Sequence, residues 1–376
     1  SGPLSKELVQ GWALSAQGDQ TAAEEVFDAL AEDGSMRPFA LYHKALSLAL
    51  DGQDGRALAL LDDGAGALAF RARAIRLRAE LLARLGDTDS ALDALAPLAS
   101  GPNPDVAAQK LVGAIQDGGP IAVTAFQTPQ DGVAEVFLNI ADALRTEAEA
   151  DFLLLYARAS VHLRPQDSGA LLFVAELLEE LDQYDLAVEA YAQVPRTDAL
   201  WATAEVGRAD ALRQDGQADA AIAVLQDLAS VRADLPDVHS ALGDALRRSE
   251  RFAEAAGAYD RAIALMEPDD TSAWFLHYVR AITYERTDQW PLAEADFRRA
   301  LDLNPGQPQV LNYLGYSLVQ KKMKLDEALK MIEQAVAASP DSGYIVDSLA
   351  WVLFTLGRYE EAVPHMIRAA ELMPID

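Results

Sequence analysis

The residues able to do chemistry are few and scattered. Five histidines, His43, His162, His239, His277 and His365, are spread along 376 residues, and none has a second histidine or paired carboxylate at metal-ligand spacing. There is no cysteine, which excludes disulfides, thiolate catalysis and cysteine metal sites. No Walker A loop and no G-x-S-x-G elbow occurs. Gly64-Ala-Gly66-Ala-Leu-Ala69 fits a dinucleotide fingerprint in letters only, since no strand precedes it and it reads as a loop. The acidic pairs Asp62-Asp63 and Asp269-Asp270 read as solvated loop residues. The expectation is no enzyme, no cofactor and no metal. What remains is binding chemistry, carried by aromatic side chains in the C-terminal third.

Charge narrows the partners. Thirty-one Lys and Arg stand against 59 Asp and Glu, a formal net charge of −28. Nucleic acid backbones and anionic lipid surfaces need a basic footprint, so neither is expected to bind. A partner with basic segments is favoured if charge steers association. An apolar fraction of 51% is ample for a core. No run of eighteen apolar residues occurs, so no membrane-spanning helix is expected. No signal peptide is visible, and Ser1-Gly2-Pro3 reads as a trimmed start.

The elements that must position the aromatics follow from a repeat. A small residue recurs at Gly11, Ala45, Ala79, Gly113, Ala141, Ala175, Ala209, Gly243, Ala281, Gly315 and Ala350, mostly 34 residues apart. A second small residue usually follows twelve later, as at Ala23, Ala57, Ala91, Ala125, Ala187, Ala221, Ala255 and Ala293; Leu153 is the exception. Between them lie Gly18, Gly52, Gly86, Gly216 and Gly357, suited to a left-handed helix C-cap. Pro165, Pro305, Pro340 and Pro374 stand where a second helix must stop.

This pattern resembles the tetratricopeptide repeat, a 34-residue helix–turn–helix. The resemblance implies an all-α solenoid, a right-handed superhelix of about eleven repeats, each with an A and a B helix crossing at the small residues. A single repeat cannot bury its apolar face, so stability comes from stacking.

The register breaks twice. Between residues 101 and 132 the spacing falls to 28, and Gly-Pro-Asn-Pro, Gly-Gly-Pro and Thr-Pro-Gln-Asp-Gly cluster. A short B helix after Gly113 and a hinge are expected there, dividing an N-terminal segment, 1–127, from a C-terminal one, 128–376. The segments differ in net charge, −7 against −21. The second break, Glu267 to Thr271, lengthens one loop.

In such a solenoid the A helices line a concave groove. Positions six and three before the small residue, and one, four and five after it, face inward. In the repeats of Ala281, Gly315 and Ala350 these positions include Phe275, Tyr278, Tyr316, Tyr344, Trp351 and Phe354, interleaved with Asn312, Gln320 and Asp347. Exposed aromatics supply binding hot spots, so this is the expected partner site. One step earlier the groove is charged: Glu176, Glu179, Glu180, Asp210, Asp237 and Asp244 oppose Arg213, Arg247 and Arg248. That set reads as a solvated face or as a stripe for a basic segment. The Lys/Arg/Asn clamp used by relatives that hold a peptide's terminal carboxylate is not found in phase.

The stretch 271–376 carries more than the generic repeat, notably Leu303-Asn304-Pro305, Leu311-Asn312-Tyr313-Leu314-Gly315-Tyr316, Gly343-Tyr344-Ile345-Val346-Asp347-Ser348-Leu349-Ala350-Trp351 and Gly357-Arg358-Tyr359-Glu360-Glu361-Ala362. It is similar to the long multi-repeat proteins of Gram-negative bacteria, many of them envelope lipoproteins. That likeness implies a non-catalytic adaptor in the periplasm or cell envelope, recruiting an envelope protease or cell-wall enzyme, with a cytoplasmic scaffold as the alternative location. Such relatives carry an exported, lipid-attached Cys, which this sequence lacks, so a membrane contact would need an anchor not present here. Val363, Ile367 and Ala370 would face a further repeat, so a second expectation is a spacer that self-associates through its ends.

Overall fold

The computed structural model describes residues 3–62, 71–100, 104–121, 123 and 127–373. They are helical with no strand among the described residues, and they form two compact units, Ser1–Gln217 and Ala218–Asp376. The dinucleotide-like Gly64–Ala69 and Ala125 lie outside the described residues.

Unit 2 follows the repeat closely. Its helices are α13 (Ala218–Val231), α14 (Pro236–Arg248), α15 (Phe252–Ala264), α16 (Trp274–Arg286), α17 (Trp290–Leu303), α18 (Pro308–Gln320), α19 (Leu325–Ala338), α20 (Gly343–Thr355) and α21 (Tyr359–Leu372). Thr271–Ala273 forms a 3₁₀ turn in the lengthened loop, capped by Asp270. Sequence neighbours pair, α14 with α15, α16 with α17, α18 with α19 and α20 with α21. The core consists of the predicted small residues and the side chains that fill the space beside them: Ala281, Ala293, Phe297, Leu314, Ala328, Ile332 and Leu353. A Cβ on Gly315 would lie 2.7 Å from Ile332 Cγ1 and 3.0 Å from the Ala328 carbonyl oxygen. The small residue is thus required by close backbone approach.

The turns explain the chain's phase. Gly18, Gly52, Gly86, Gly216 and Gly357 all adopt left-handed backbone, as expected. The same position is left-handed in Asp182, Glu250, Asp288 and Lys322, at φ of 55–59°. These side chains bear a steric penalty that glycine avoids, offset by the helix pairing on either side.

Unit 1 departs from a linear stack. It contains α1 (Pro3–Ala16), α2 (Gln20–Ala31), α3 (Arg37–Leu50), α4 (Asp54–Asp62), α5 (Arg71–Arg84), α6 (Thr88–Ala99), α7 (Val106–Gln116), α8 (Pro129–Ala143), α9 (Ala150–Leu163), α10 (Ser168–Glu180), α11 (Tyr184–Tyr191) and α12 (Trp201–Gln214). Between Gln116 and Pro129 the described residues are not helical, so the short B helix expected after Gly113 is not found among them. Two glycines and Pro120 interrupt that segment. Instead α8 packs back on α1 and α3. Val136 and Ile140 join Leu8, Trp12, Phe27, Tyr42 and Leu46 in one core.

Buried polar groups tie this core together. The Trp12 indole N–H donates to His43 Nδ1 at 3.0 Å, and Asn139 meets His43 Nε2 at 3.3 Å. Tyr42 Oη donates to Glu135 at 3.0 Å, and Arg73 bridges Glu135 at 2.6 Å and Asp167 at 3.2 Å.

The histidines pack, with one exception. His43 and His239 are buried and His277 is half-buried, whereas His162 is exposed. His277 Nδ1 lies 2.8 Å from Asp296, which also accepts from Arg280 at 2.6 Å and 2.7 Å. This joins α16 to α17.

Candidate functional site

The aromatic face is built by α20, α18 and α16. On α20 the apolar positions Ile345, Val346, Leu349, Val352 and Leu353 face the core. The helical period then turns Tyr344, Asp347, Trp351 and Phe354 outward. Tyr344, Trp351 and Phe354 are 49%, 44% and 49% exposed. Trp351 and Phe354 stack at 6.0 Å with planes 25° apart, and Phe354 meets Tyr359 at 5.2 Å. Tyr359 opens α21, outside the A-helix positions, so position counting missed it; its signal was the Gly357-Arg358 turn just before it.

On α16, Phe275 is exposed and lies 6.3 Å from Tyr278. Tyr278 is half-buried rather than displayed, because it packs on Phe297 at 6.1 Å and on Tyr313 at 6.0 Å. Burial, then the nearby Tyr344 phenol, pushes its hydroxyl above the ordinary range, against a smaller pull from Arg247. Tyr316 on α18 is likewise half-buried and packs against the unit 2 core. Two of the six expected groove aromatics therefore serve packing, while Phe275, Tyr344, Trp351 and Phe354 are displayed. Gln320 and Asp347 are exposed.

Asn312 does not belong to the displayed surface. It stands on α18 where Tyr278 stands on α16 and Asp347 on α20. It is buried rather than displayed, at 7% exposure, and its Oδ1 has no hydrogen-bond partner. An unpaired buried carbonyl costs about 1–3 kcal/mol.

The charged positions spend their charge locally. In unit 1, Glu176 accepts from Arg145 at 2.9 Å, Glu179 from Tyr191 at 3.0 Å, and Asp210 pairs with Arg213 at 2.7 Å. Burial, then Asp210 and Glu176, raises the Glu179 carboxyl, with the Tyr191 bond pulling the other way. Glu180 is exposed. In unit 2, Asp244 accepts from Tyr259 at 2.7 Å and from Arg247 at 3.3 Å, while Asp237 and Arg248 are exposed. The set is divided between the units; Asp210–Arg213 and Asp244–Arg247 pair within their own helices, and Glu176 and Glu179 bond to Arg145 and Tyr191 outside theirs.

Among the described residues no group of three or more His, Asp or Glu could hold a metal ion. No helix among them is long and apolar enough to cross a membrane.

The profile of the tetratricopeptide repeat matches residues 206–273, 278–342 and 323–372. Helix pairs in that same register are what unit 2 displays. Residues 206–273 and 278–372 are tetratricopeptide repeats. TPR repeat-containing protein PA4667 of Pseudomonas aeruginosa is 27% identical over 206 residues, 54% of this chain and 33% of that protein. E3 ubiquitin-protein ligase CHIP of Arabidopsis thaliana is 30% identical over 117 residues, 30% of this chain and 40% of that protein. The matched stretch thus spans less than half the length of either curated relative. Among solved structures, MamA 41-end from Desulfovibrio magneticus RS-1 gives a TM-score of 0.40 at 20% identity, covering 46% of this chain and 96% of that one. The APC/C hetero-tetramer Cut9-Hcn1 gives 0.44 at 13% identity, covering 97% and 80%. The tetratricopeptide repeats of unit 2 thus carry the aromatic face on three successive A helices.

Proposed function

We propose that this chain is a non-catalytic scaffold that binds a protein or peptide on the A-helix face of α16, α18 and α20. The observation that carries this reading is Trp351 stacked on Phe354, on the same helix as Tyr344, all three nearly half exposed. Aromatic rings give large contact area at small entropic cost. Net charge favours basic segments in the partner. The likeness of residues 271–376 to envelope adaptors supports a role in recruiting an envelope protease or cell-wall enzyme. The test is capture of partners from separated membrane and soluble lysate fractions by the wild-type chain and by Trp351→Ser/Phe354→Ser. A partner lost only with the double variant, at unchanged helical content, supports the assignment; equal capture by both baits overturns it.

A second reading rests on α21, where Val363, Met366 and Ile367 are exposed at 56%, 45% and 57%. That face would support self-association, making the chain a spacer or self-assembling module.

A further inference from the structure

Helix α5 runs against the chain's charge. Its sequence, RARAIRLRAELLAR, holds five arginines and one acid in a protein of net charge −28. Arg73 and Arg76 turn toward a cleft of about 340 Å³ that lies wholly inside unit 1. The opposite walls are Lys110 on α7, Arg164 and Ser168 around the start of α10, and Asp198–Leu200 at the start of α12. The cleft adjoins the break in register. No helix follows α7 among the described residues up to Pro129.

The donors in this cleft divide into used and unused. Arg73 is spent on Glu135 and Asp167, Arg76 on Asp105, and Arg164 on Asp167. The acids of the wall are also committed. Asp167 accepts from the Ala170 N–H at 3.0 Å, Asp198 from the Leu200 N–H at 2.8 Å, and Glu80 is buried and engaged, although its Oε2 accepts no hydrogen bond. Two donors are left over. Lys110 is exposed and makes no ion pair among the described residues. Ser168 is 5% exposed, and its Oγ has no hydrogen-bond partner. Ser168 is the first residue of α10, so the leading N–H groups and positive end of a thirteen-residue helix stand beside it. The start of α12 adds a second such end, because its N-cap residue Leu200 offers no capping side chain.

We propose that this cleft is an oxyanion site, taking a carboxylate or phosphate group between Lys110, the Ser168 hydroxyl and the leading N–H groups of α10 and α12. The committed ion pairs fix the walls, and Lys110 and the Ser168 hydroxyl are left as donors toward the cleft. An oxyanion satisfies the buried hydroxyl and the helix N–H groups together, which no neutral wall group does. The site is separate from the aromatic face of unit 2 and stands or falls without it.

The experiment follows the amide resonances of Ser168 and Gly169 in the full chain. Sodium phosphate and sodium acetate are titrated in turn, against sodium chloride at equal ionic strength. The expected result is a saturable shift at both amides, weakened about tenfold by Lys110→Glu and by Ser168→Ala. Saturation by phosphate alone assigns a phosphate-bearing ligand, by acetate alone a carboxylate, and by both a general oxyanion site. Shifts no larger than those with chloride overturn the proposal. So does unchanged affinity in both variants when circular dichroism shows them folded.

Discussion

Trp12 donates its indole N–H to His43 Nδ1 at 3.0 Å, which fixes the histidine tautomer. Indole can only donate, so Nδ1 accepts and the proton sits on Nε2. The contact of 3.3 Å between Nε2 and Asn139 is then a hydrogen bond only if the amide presents its oxygen. That orientation also pairs the Asn139 Oδ1, which otherwise has no partner in the core.

His43 carries a pH dependence. Burial lowers it from 6.5 to about 3. The unfolded chain therefore takes up the proton first as pH falls, and stability is full above about 6.5. It should drop by about 1.4 kcal/mol per pH unit below that, until the folded value is reached. Hydrogen exchange of α1, α3 and α8 peptides between pH 7 and 5 measures it. His43→Gln should flatten the slope; an unchanged slope in that variant would assign the loss to other groups.

Two glycines of unit 2 should respond oppositely to alanine. Gly315→Ala drives a methyl into Ile332 and the Ala328 carbonyl, and should cost about 1–3 kcal/mol. Gly257 lies on α15, and a methyl added there would meet nothing within 4 Å, so Gly257→Ala should stabilise by about 0.5–1 kcal/mol. Urea midpoints of the two variants decide the matter, and equal shifts would contradict the crossing geometry.

Asp296 holds α16 to α17. It is 6% exposed and accepts from both Arg280 and His277. Burial raises its carboxyl, but those bonds outweigh burial and leave it below the ordinary 3.8. Asp296→Ala leaves the partly buried Arg280 guanidinium with Asp260 as its remaining carboxylate partner, at 2.8 Å, and should cost about 1–3 kcal/mol. Its stabilising effect is present above pH 3.8 and fades as pH falls below it. Denaturation near neutral pH should show the loss, and a cost below about 1 kcal/mol would place Arg280 in solvent.

Self-association has its own prediction. If the apolar face of α21 joins copies, sedimentation should show a mass that rises with concentration and falls back with Ile367→Glu. A concentration-independent monomer in the wild type would remove that reading.

The repeat was legible because its signals are spaced and redundant. Ala281, Ala293, Gly315, Ala328 and Ala350 each mark a crossing, and each is fully or nearly buried. The left-handed turns at Asp182, Glu250, Asp288 and Lys322 were not legible, because those residues do not announce that backbone and adopt it only between paired helices. The return of α8 onto α1 was hidden for a different reason. Tyr42 and Glu135 are 93 residues apart, and nothing in the local pattern near either names the other. On the aromatic face, position counting found the α20 stripe but could not tell display from packing. Tyr278 and Tyr316 share their positions with exposed residues, but Phe297 and Tyr313 pack on Tyr278 and the unit 2 core packs on Tyr316.

Site-directed photo-crosslinking tests the central claim most directly. A benzophenone amino acid replaces Phe354 in one bait and Ile367 in another, and each is irradiated with the captured partner. Binding on the A-helix face predicts a partner adduct from position 354 and none from position 367. An adduct from position 367 with none from position 354 would contradict it.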